Sequence, residues 1–449
     1  MKKTLLLTLA LGLAGASPLM ADVDLYITGS TAFRANVYTA CTKLFTSPPS
    51  TTNNTLFFGD AAHGGDANNN SKTASWCMTG TPITGLTNIQ GGQLTIHGLF
   101  TGSIQGMQTV EQSIPLTFAT TTAGVYSTNT PTIAFSDASG TSTPYPATGD
   151  FSEENVCVQP FVMCKSVPAN SVTSISNVTW EQMEYGIPKG RIPLAAWTQN
   201  IADTNSLVYI IERTADSGTR RCLTSQEAYQ FGDTVTAYIY DFTNNFFFKG
   251  SNEVNSLVGT SPDGVVGSAG LGNANLNWGP GYVAGGDIKN ELNYNNSNNL
   301  AIAFLSMGDS QGVGSSNWAT VVSFDGLWPT AAGSGVHGNT GTNDYAPIVN
   351  GMYPCWGYEV LVYPNIDPSS VPGEVGQNLT ANELGSQTQP GTILGVLDAQ
   401  SIYNGGSLTV GSIENEIELS KTGSPGATAI RLSDMHSSRQ FVGSTITPP

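Results

Sequence analysis

The chain has 449 residues, a formal net charge of −17 and only 11 % charged residues. That acidity argues against nucleic acid or an anionic membrane surface as a partner, since either would be repelled by the whole molecule. Hydrophobic residues at 39 % still provide a full core, so the chain is not disordered, and its length calls for two lobes or more.

Residues 1–21 read as a secretory leader. Lys2 and Lys3 precede an apolar stretch from Leu5 to Ala16, and Leu19-Met20-Ala21 gives a small-residue cleavage pattern. No cysteine stands at the cleavage site, so the expected product is soluble and exported, periplasmic or extracellular. Leu25-Tyr26-Ile27 then reads as a strand entering Gly29-Ser30-Thr31, followed by Phe33, Val37, Cys41 and Leu44 at helical spacing. Leu94 to Phe100 alternates like a strand and enters Gly102-Ser103, with Met107, Val110 and Ile114 on one helical stripe. Thr132 to Phe135 is a further short strand, ending at Ser136-Asp137.

The same device is clearest at 208–230. Val208 to Ile211 reads as a buried strand, Arg213 and Ser217-Gly218-Thr219 as a loop, and Arg220 to Gln230 as a helix. Strand, small-residue loop and helix in that order bring backbone N–H groups, two hydroxyls and a helix dipole around one point. Arg213 adds a planar fork of donors suited to an oxyanion, and Gly218 permits close backbone approach. An ordinary capped helix beside an unrelated arginine is the rival interpretation. Alternating strands and helices predict an α/β architecture with mostly parallel pairing.

Stretches rich in Gly, Asn and Thr at roughly 46–92, 250–299 and 331–346 lack periodicity, and 273–299 reads as a surface insertion. The tail from 397 has weak strand signals at Ser407–Ile413 and Thr428–Leu432. Gly308-Asp-Ser-Gln-Gly312 matches a nucleophile-elbow pattern with Ser310 as nucleophile, but His337 and His436 have no recognisable context as a base. Gly267 to Gly272 follows no strand and reads as loop rather than dinucleotide site, and His63 and His97 read as solvated or structural. The six cysteines, at 41, 77, 157, 164, 222 and 355, contain no C-x-x-C pair, so disulfides are expected rather than metal.

Taken in order, these segments resemble the phosphate-specific periplasmic binding proteins, the receptors of ABC phosphate importers. Ile27 to Tyr38 resembles the first anion loop of that family, Gly102-Ser-Ile-Gln-Gly-Met107 its Gly-Ser-x-x-Gly loop, and Ile133 to Asp137 its Ser-Asp strand end. Val178 to Met183, with Gly190-Arg-Ile192 and Trp197, resembles its helix and Gly-x-Ile segment, and Arg213 to Thr219 its Arg-x-Asp-Gly-Ser-Gly-Thr loop. Leu300 to Met307 and Tyr353 to Tyr363 fall where the family has late strands. The chain departs from the pattern at Ala32, where a hydroxyl is usual, at Ala215, where an aspartate is usual, and at Asp216, which takes a glycine position.

The resemblance implies a two-lobe, type II periplasmic binding protein-like fold with the ligand cleft between lobes, carrying loop insertions and a C-terminal extension. The first lobe would be 22–156 plus 347–449 and the second 157–346. Implied ligand-binding residues are Ser30, Thr31, Phe33 through its backbone N–H, Ser103, Arg213, Ser217, Gly218 and Thr219, with Asp137 as acceptor. The implied function is capture of inorganic phosphate or a similar tetrahedral oxyanion for ABC-type import, by a monomer that needs no metal or cofactor and performs no catalysis, with a permease as partner. A surface or matrix-associated scavenging or interaction protein of the same fold is the alternative, and an exported serine hydrolase a third. On these lobes the expected cysteine pairs are Cys41–Cys77, Cys164–Cys222 and Cys157–Cys355.

Overall fold

The computed structural model describes residues 22–53, 75–86, 89, 92–100, 102–143, 151–172, 174–215, 217–224, 235–241, 246–249, 253–254, 281–282, 284–294, 296–310, 313, 320–330, 345–364, 393, 397, 411–420, 429–439 and 446–447. Residues 1–21, expected to form a leader, His63, His337, Asp216 and residues 267–272 lie outside them.

Twelve strands form one sheet. They are β1 (Val23–Gly29), β2 (Ser50–Asn53), β3 (Ser75–Gly80), β4 (Leu94–Leu99), β5 (Ile133–Ser136) and β6 (Phe151–Lys165), then β7 (Asn177–Val178), β8 (Arg191–Pro193), β9 (Leu207–Ile211), β10 (Ala301–Ser306), β11 (Val321–Phe324) and β12 (Trp356–Pro364). The order across the sheet is β8-β9-β10-β6-β12-β5-β1-β4-β3-β2, with β11 pairing β6 and β7. Six helices matter below: α1 (Arg34–Thr42), α2 (Ser103–Glu111), α3 (Trp180–Lys189), α4 (Gly218–Thr224), α5 (Gly285–Asn293) and α6 (Ile413–Ser420).

The fold is α/β, but the expected dominance of parallel pairing does not hold. Parallel neighbours occur at β4-β1-β5 and β9-β10, and briefly at β7-β11. The two long strands β6 and β12 run antiparallel to each other through the middle, and β12 runs antiparallel to β5. Apolar runs alone do not encode strand direction, which depends on where each connection returns the chain.

Among the described residues two large cores lie along this sheet, with two smaller clusters beside them. Leu25, Ile27, Phe33, Val37, Trp76, Ile96, Phe135 and Leu361 belong to the first. Phe161, Met183, Ile210, Leu223, Tyr282, Phe304 and Trp356 belong to the second. Along β6 the side chains change core between Cys157 and Val158, and along β12 between Trp356 and Leu361. Both strands therefore cross from one half to the other.

Three segments that looked featureless are structural. β3 lies inside 46–92, where Trp76 is fully buried and stacks near Phe100. Gly281-Tyr282 and α5 lie inside 250–299, and Tyr282, Ile288 and Leu292 are buried in the second core. Asparagine-rich composition hid them because their apolar residues are few and widely spaced. In the tail, Ile413 opens a helix instead of ending a strand. Ile430 pairs with Val158 of β6 through two backbone bonds of 2.8 Å.

The expected disulfides are absent: no S–S bond joins any of the six cysteines, all of which are buried. Cys157 lies opposite Glu359 while Cys355 lies opposite Phe161, so the two cysteines are set well apart along the paired strands and belong to different cores. Cys77 instead sits against His97, and the Cys222 thiol donates to Asp137 O at 3.2 Å.

Gly29 ends β1 with φ of 121°, and a Cβ there would overlap the carbonyl oxygen of Phe135. Gly106 of α2 approaches the same spot, where a Cβ on it would stand only 2.5 Å from Gly29 Cα. Helix and strand thus touch through backbone. Gly29→Ala is expected to cost about 2–5 kcal/mol, combining left-handed strain with overpacking. A urea unfolding midpoint unchanged from wild type would disprove this.

Candidate functional site

Four strand ends deliver polar groups to the seam between the halves. From β1, Ser30 bonds through its backbone N–H to Phe135 O at 2.7 Å, and its Oγ accepts the Phe33 N–H at 3.2 Å. From β4, Gly102, with φ of 155°, turns the chain into α2 and places Ser103 at its first position, 2 % exposed. From β5 comes Asp137, 1 % exposed. From β9 comes Arg213, 2 % exposed, and then the Ser217-Gly218-Thr219 turn into α4.

The two halves meet at these residues. Thr219 Oγ1 donates to Asp137 Oδ2 at 3.1 Å, and Arg213 Nη2 donates to Thr31 Oγ1 at 3.1 Å. Gly218 has no room for a side chain, because a Cβ there would overlap Asp137 Oδ1 and lie 2.6 Å from Ser103 Oγ. Asp137 Oδ1 has no hydrogen-bond partner among the described residues. Burial pushes the Asp137 carboxyl up to about 6, against the opposing pull of Arg213 and of the Thr219 and Ser30 hydroxyls.

Arg213 is held rigidly. Its Nε donates to Tyr282 O at 3.0 Å, and the backbone on either side pairs with Tyr282 through Thr214 N–H and Glu212 O, each at 3.0 Å. Gly281 makes this possible, since its φ of 135° lets it lie against the Arg213 backbone. Ser217 Oγ accepts the Arg220 N–H at 3.2 Å, and the Arg220 side chain donates to Arg213 O at 3.2 Å.

Of the residues expected at the site, Ser103, Asp137, Arg213, Gly218, Thr219 and Thr31 converge. Ser30 joins them, since its hydroxyl acts on the Asp137 carboxyl, while its Oγ takes the Phe33 N–H and leaves Phe33 to shape the first loop. Ser217 caps α4 from the side. Ala215 is exposed and takes no part.

Sequence reasoning missed two further charged groups. Arg34, 7 % exposed, donates to Thr31 O and reaches across the seam until its Nη2 is 3.9 Å from where a Gly286 Cβ would stand. Asp287 in the first turn of α5 is pushed up to about 7 by burial, with Arg213 and Arg34 opposing and Asp309 reinforcing the shift. Asp287 thus lies within electrostatic reach of Arg213, whereas Ala215 supplies no carboxylate. The polar first turn of a helix inside 273–299 was the one available signal.

The nucleophile-elbow reading fails on geometry. Ser310 is fully buried and donates to Met307 O at 2.8 Å. His436 is bonded to Asn350 Oδ1, and His97 to Ala119 O and Asp24.

No family model matches the chain, and no curated protein matches it. Among solved structures, it is similar to a Clostridium perfringens protein provisionally assigned as a phosphate ABC transporter substrate-binding protein, with bound phosphate. That match has 12 % identity and a TM-score of 0.36, over 76 % of this chain and 86 % of the other. It is also similar to an ABC-type phosphate transport receptor from Vibrio cholerae, at 14 % identity and a TM-score of 0.35 over 77 % and 89 %. A third is PstS from Borrelia burgdorferi, at 12 % identity and a TM-score of 0.30 over 77 % and 89 %. Likeness at this level assigns no function to this chain.

Proposed function

We propose that this protein captures a tetrahedral oxyanion, inorganic phosphate, between its two halves, by binding and closure without chemistry. The observation that carries this is a buried carboxylate, Asp137, with one oxygen unpaired, facing the Ser103 hydroxyl, the Gly218 backbone and the Arg213 guanidinium across the seam. Donors from both halves converge there around the Asp137 acceptor, with Asp287 near Arg213 as a second carboxyl. A protonated tetrahedral anion needs that combination, because its bare oxygens accept and its P–OH donates. The contacts Thr219–Asp137 and Arg213–Thr31 now join the halves directly, and an anion inserted between them would take over both. Closure is then favoured by the ligand, since donors on both sides bind it only when the halves meet.

The lobes we propose are 22–156 with 347–449, and 157–346, hinged at β6 and β12. An exported phosphate receptor delivering to a membrane permease is the role that fits this device. A scavenging role without transport is the second reading. It is favoured by the tail, where Ile430 pairs with β6 and Arg439 donates to the Trp356 and Pro354 carbonyls at 2.8 and 3.0 Å, which stiffens the crossing. Calorimetric titration of the purified protein with phosphate, sulfate, molybdate and arsenate tests the reading. Phosphate and arsenate are expected to bind and sulfate to bind much more weakly, and an absence of heat with all four anions would refute it.

A further inference from the structure

Glu359 lies in the middle of β12, is 0 % exposed, and neither of its carboxyl oxygens has a hydrogen-bond partner among the described residues. Its place in the sheet explains why this matters. β5 and β12 run antiparallel with Ser136 opposite Val360 and Phe135 opposite Leu361. Asp137 follows Ser136 and Glu359 precedes Val360, so the end of this pairing brings the two carboxyls close enough for the Asp137 charge to act on Glu359. The pairing of β12 with β6 shifts register at the same point, between Glu359 and Val360. Two buried acids thus stand near each other at the end of this strand pair, an arrangement that is destabilising when both are charged.

We infer that Glu359 is a positioning residue for the anion site, paired with Asp137 so that the two carboxyls carry one negative charge, which resides on Asp137. This inference rests on the phosphate reading for its role, though not for the existence of the pair. Asp137 has the Thr219 hydroxyl and the Arg213 charge to hold its anion, whereas Glu359 has neither, so the proton stays on Glu359. Burial, reinforced by the Asp137 charge, raises Glu359 well above the usual carboxyl range. The other titratable groups around it are Cys222 on α4, which senses both acids, and Cys157, its register partner on β6. Arg439 sits beyond Cys222 and Cys355, and its guanidinium is given to the Trp356 and Pro354 carbonyls. Glu111 on α2 senses Glu153 instead. With Glu359 neutral, the pair presents one negative charge to the anion. With Glu359 ionised it would present two.

The sign of the pH effect follows. The unfolded chain releases the Glu359 proton near pH 4, while the folded protein keeps it to a much higher pH, so stability falls as pH rises between those values. Asp137 contributes a similar fall that is complete above about 6. The window from neutral to alkaline pH therefore isolates Glu359 from Asp137.

The test is thermal unfolding of the ligand-free full chain from about pH 5 to 9, for wild type and Glu359→Gln, with phosphate titration at each pH. The glutamine variant is expected to match wild type at the acid end and to exceed its Tm increasingly at the alkaline end. Its phosphate affinity should also be retained about tenfold better at the alkaline end, the effect of one pKa unit. Parallel Tm curves would overturn the carboxyl pair. If Glu359→Gln does not fold, Asp137→Asn serves instead, because removing the neighbouring charge must also flatten the alkaline fall in Tm, and an unchanged slope overturns the pair. Absence of phosphate binding by wild type would overturn the functional reading alone, leaving the Tm comparison to decide the pair.

Discussion

Replacing Arg213 with alanine is expected to lower phosphate affinity by about 2–5 kcal/mol, roughly thirtyfold to several-thousandfold. Arg213 is 2 % exposed and offers its fork in a site from which water is excluded, where a charged donor acts at full strength. The fold should lose less. Tyr282 O keeps the Thr214 N–H at 3.0 Å after the guanidinium is gone, so no buried carbonyl is orphaned. Some stability will still go, because Arg213 opposes the upward shifts of both Asp137 and Asp287. Without it these carboxyls ionise at higher pH, and the loss grows as pH rises through that range. Arg213→Lys should fall between, since it keeps the charge but not the planar fork. Calorimetry paired with urea unfolding separates the two effects. Near-native affinity in the alanine variant would show that Arg213 serves the fold and not an anion.

The second large effect belongs to Asp137, and it concerns selectivity. Phosphate near neutral pH carries at least one P–OH and can donate a short bond to the unpaired Asp137 Oδ1. Sulfate has no proton there, so the carboxylate would face an oxygen lone pair. Rejection through a repulsive buried group can reach several powers of ten, whereas size hardly separates the two anions. Asp137→Asn should weaken phosphate binding and narrow its preference over sulfate, while the chain still folds. The buried setting adds a pH signature. Below about 6 the carboxyl takes up a proton, and the wild-type discrimination should shrink as it does so. Competition titrations giving the same phosphate-to-sulfate ratio in both proteins would show that Asp137 merely ends a strand.

The loops of the candidate site were legible in the sequence because they are local. A β-branched run, a glycine and two hydroxyls within ten residues dictate strand, turn and helix wherever they occur, and Arg213 to Thr219 shows this. Charged groups that act over distance were not legible. Arg34 matters because it crosses to α5, Asp287 because it stands near Arg213, and Glu359 because the end of the strand pairing brings it near Asp137. No periodicity within a segment encodes such pairings. Cysteine count misled for a related reason: parity says nothing about which core each thiol faces, and Cys157 and Cys355 face different ones. β3 escaped notice because a six-residue strand within polar, glycine-rich sequence leaves only Trp76-Cys77-Met78 as a trace.

The place of β12 in the sheet has a consequence for the order of events during synthesis. Its residues, Trp356–Pro364, are among the last strand residues to be made, yet they lie between β5 and β6 and join everything made before them. Until that stretch has emerged, the early strands have an open edge at β5 and Asp137 lacks its neighbours on β12. Folding therefore waits on contacts of very long sequence separation, which slows it and lengthens the time that unpaired strand edges are exposed. A nascent chain stopped before residue 356 should hold the loop after β1 but not the meeting of Asp137 with its neighbours on β12.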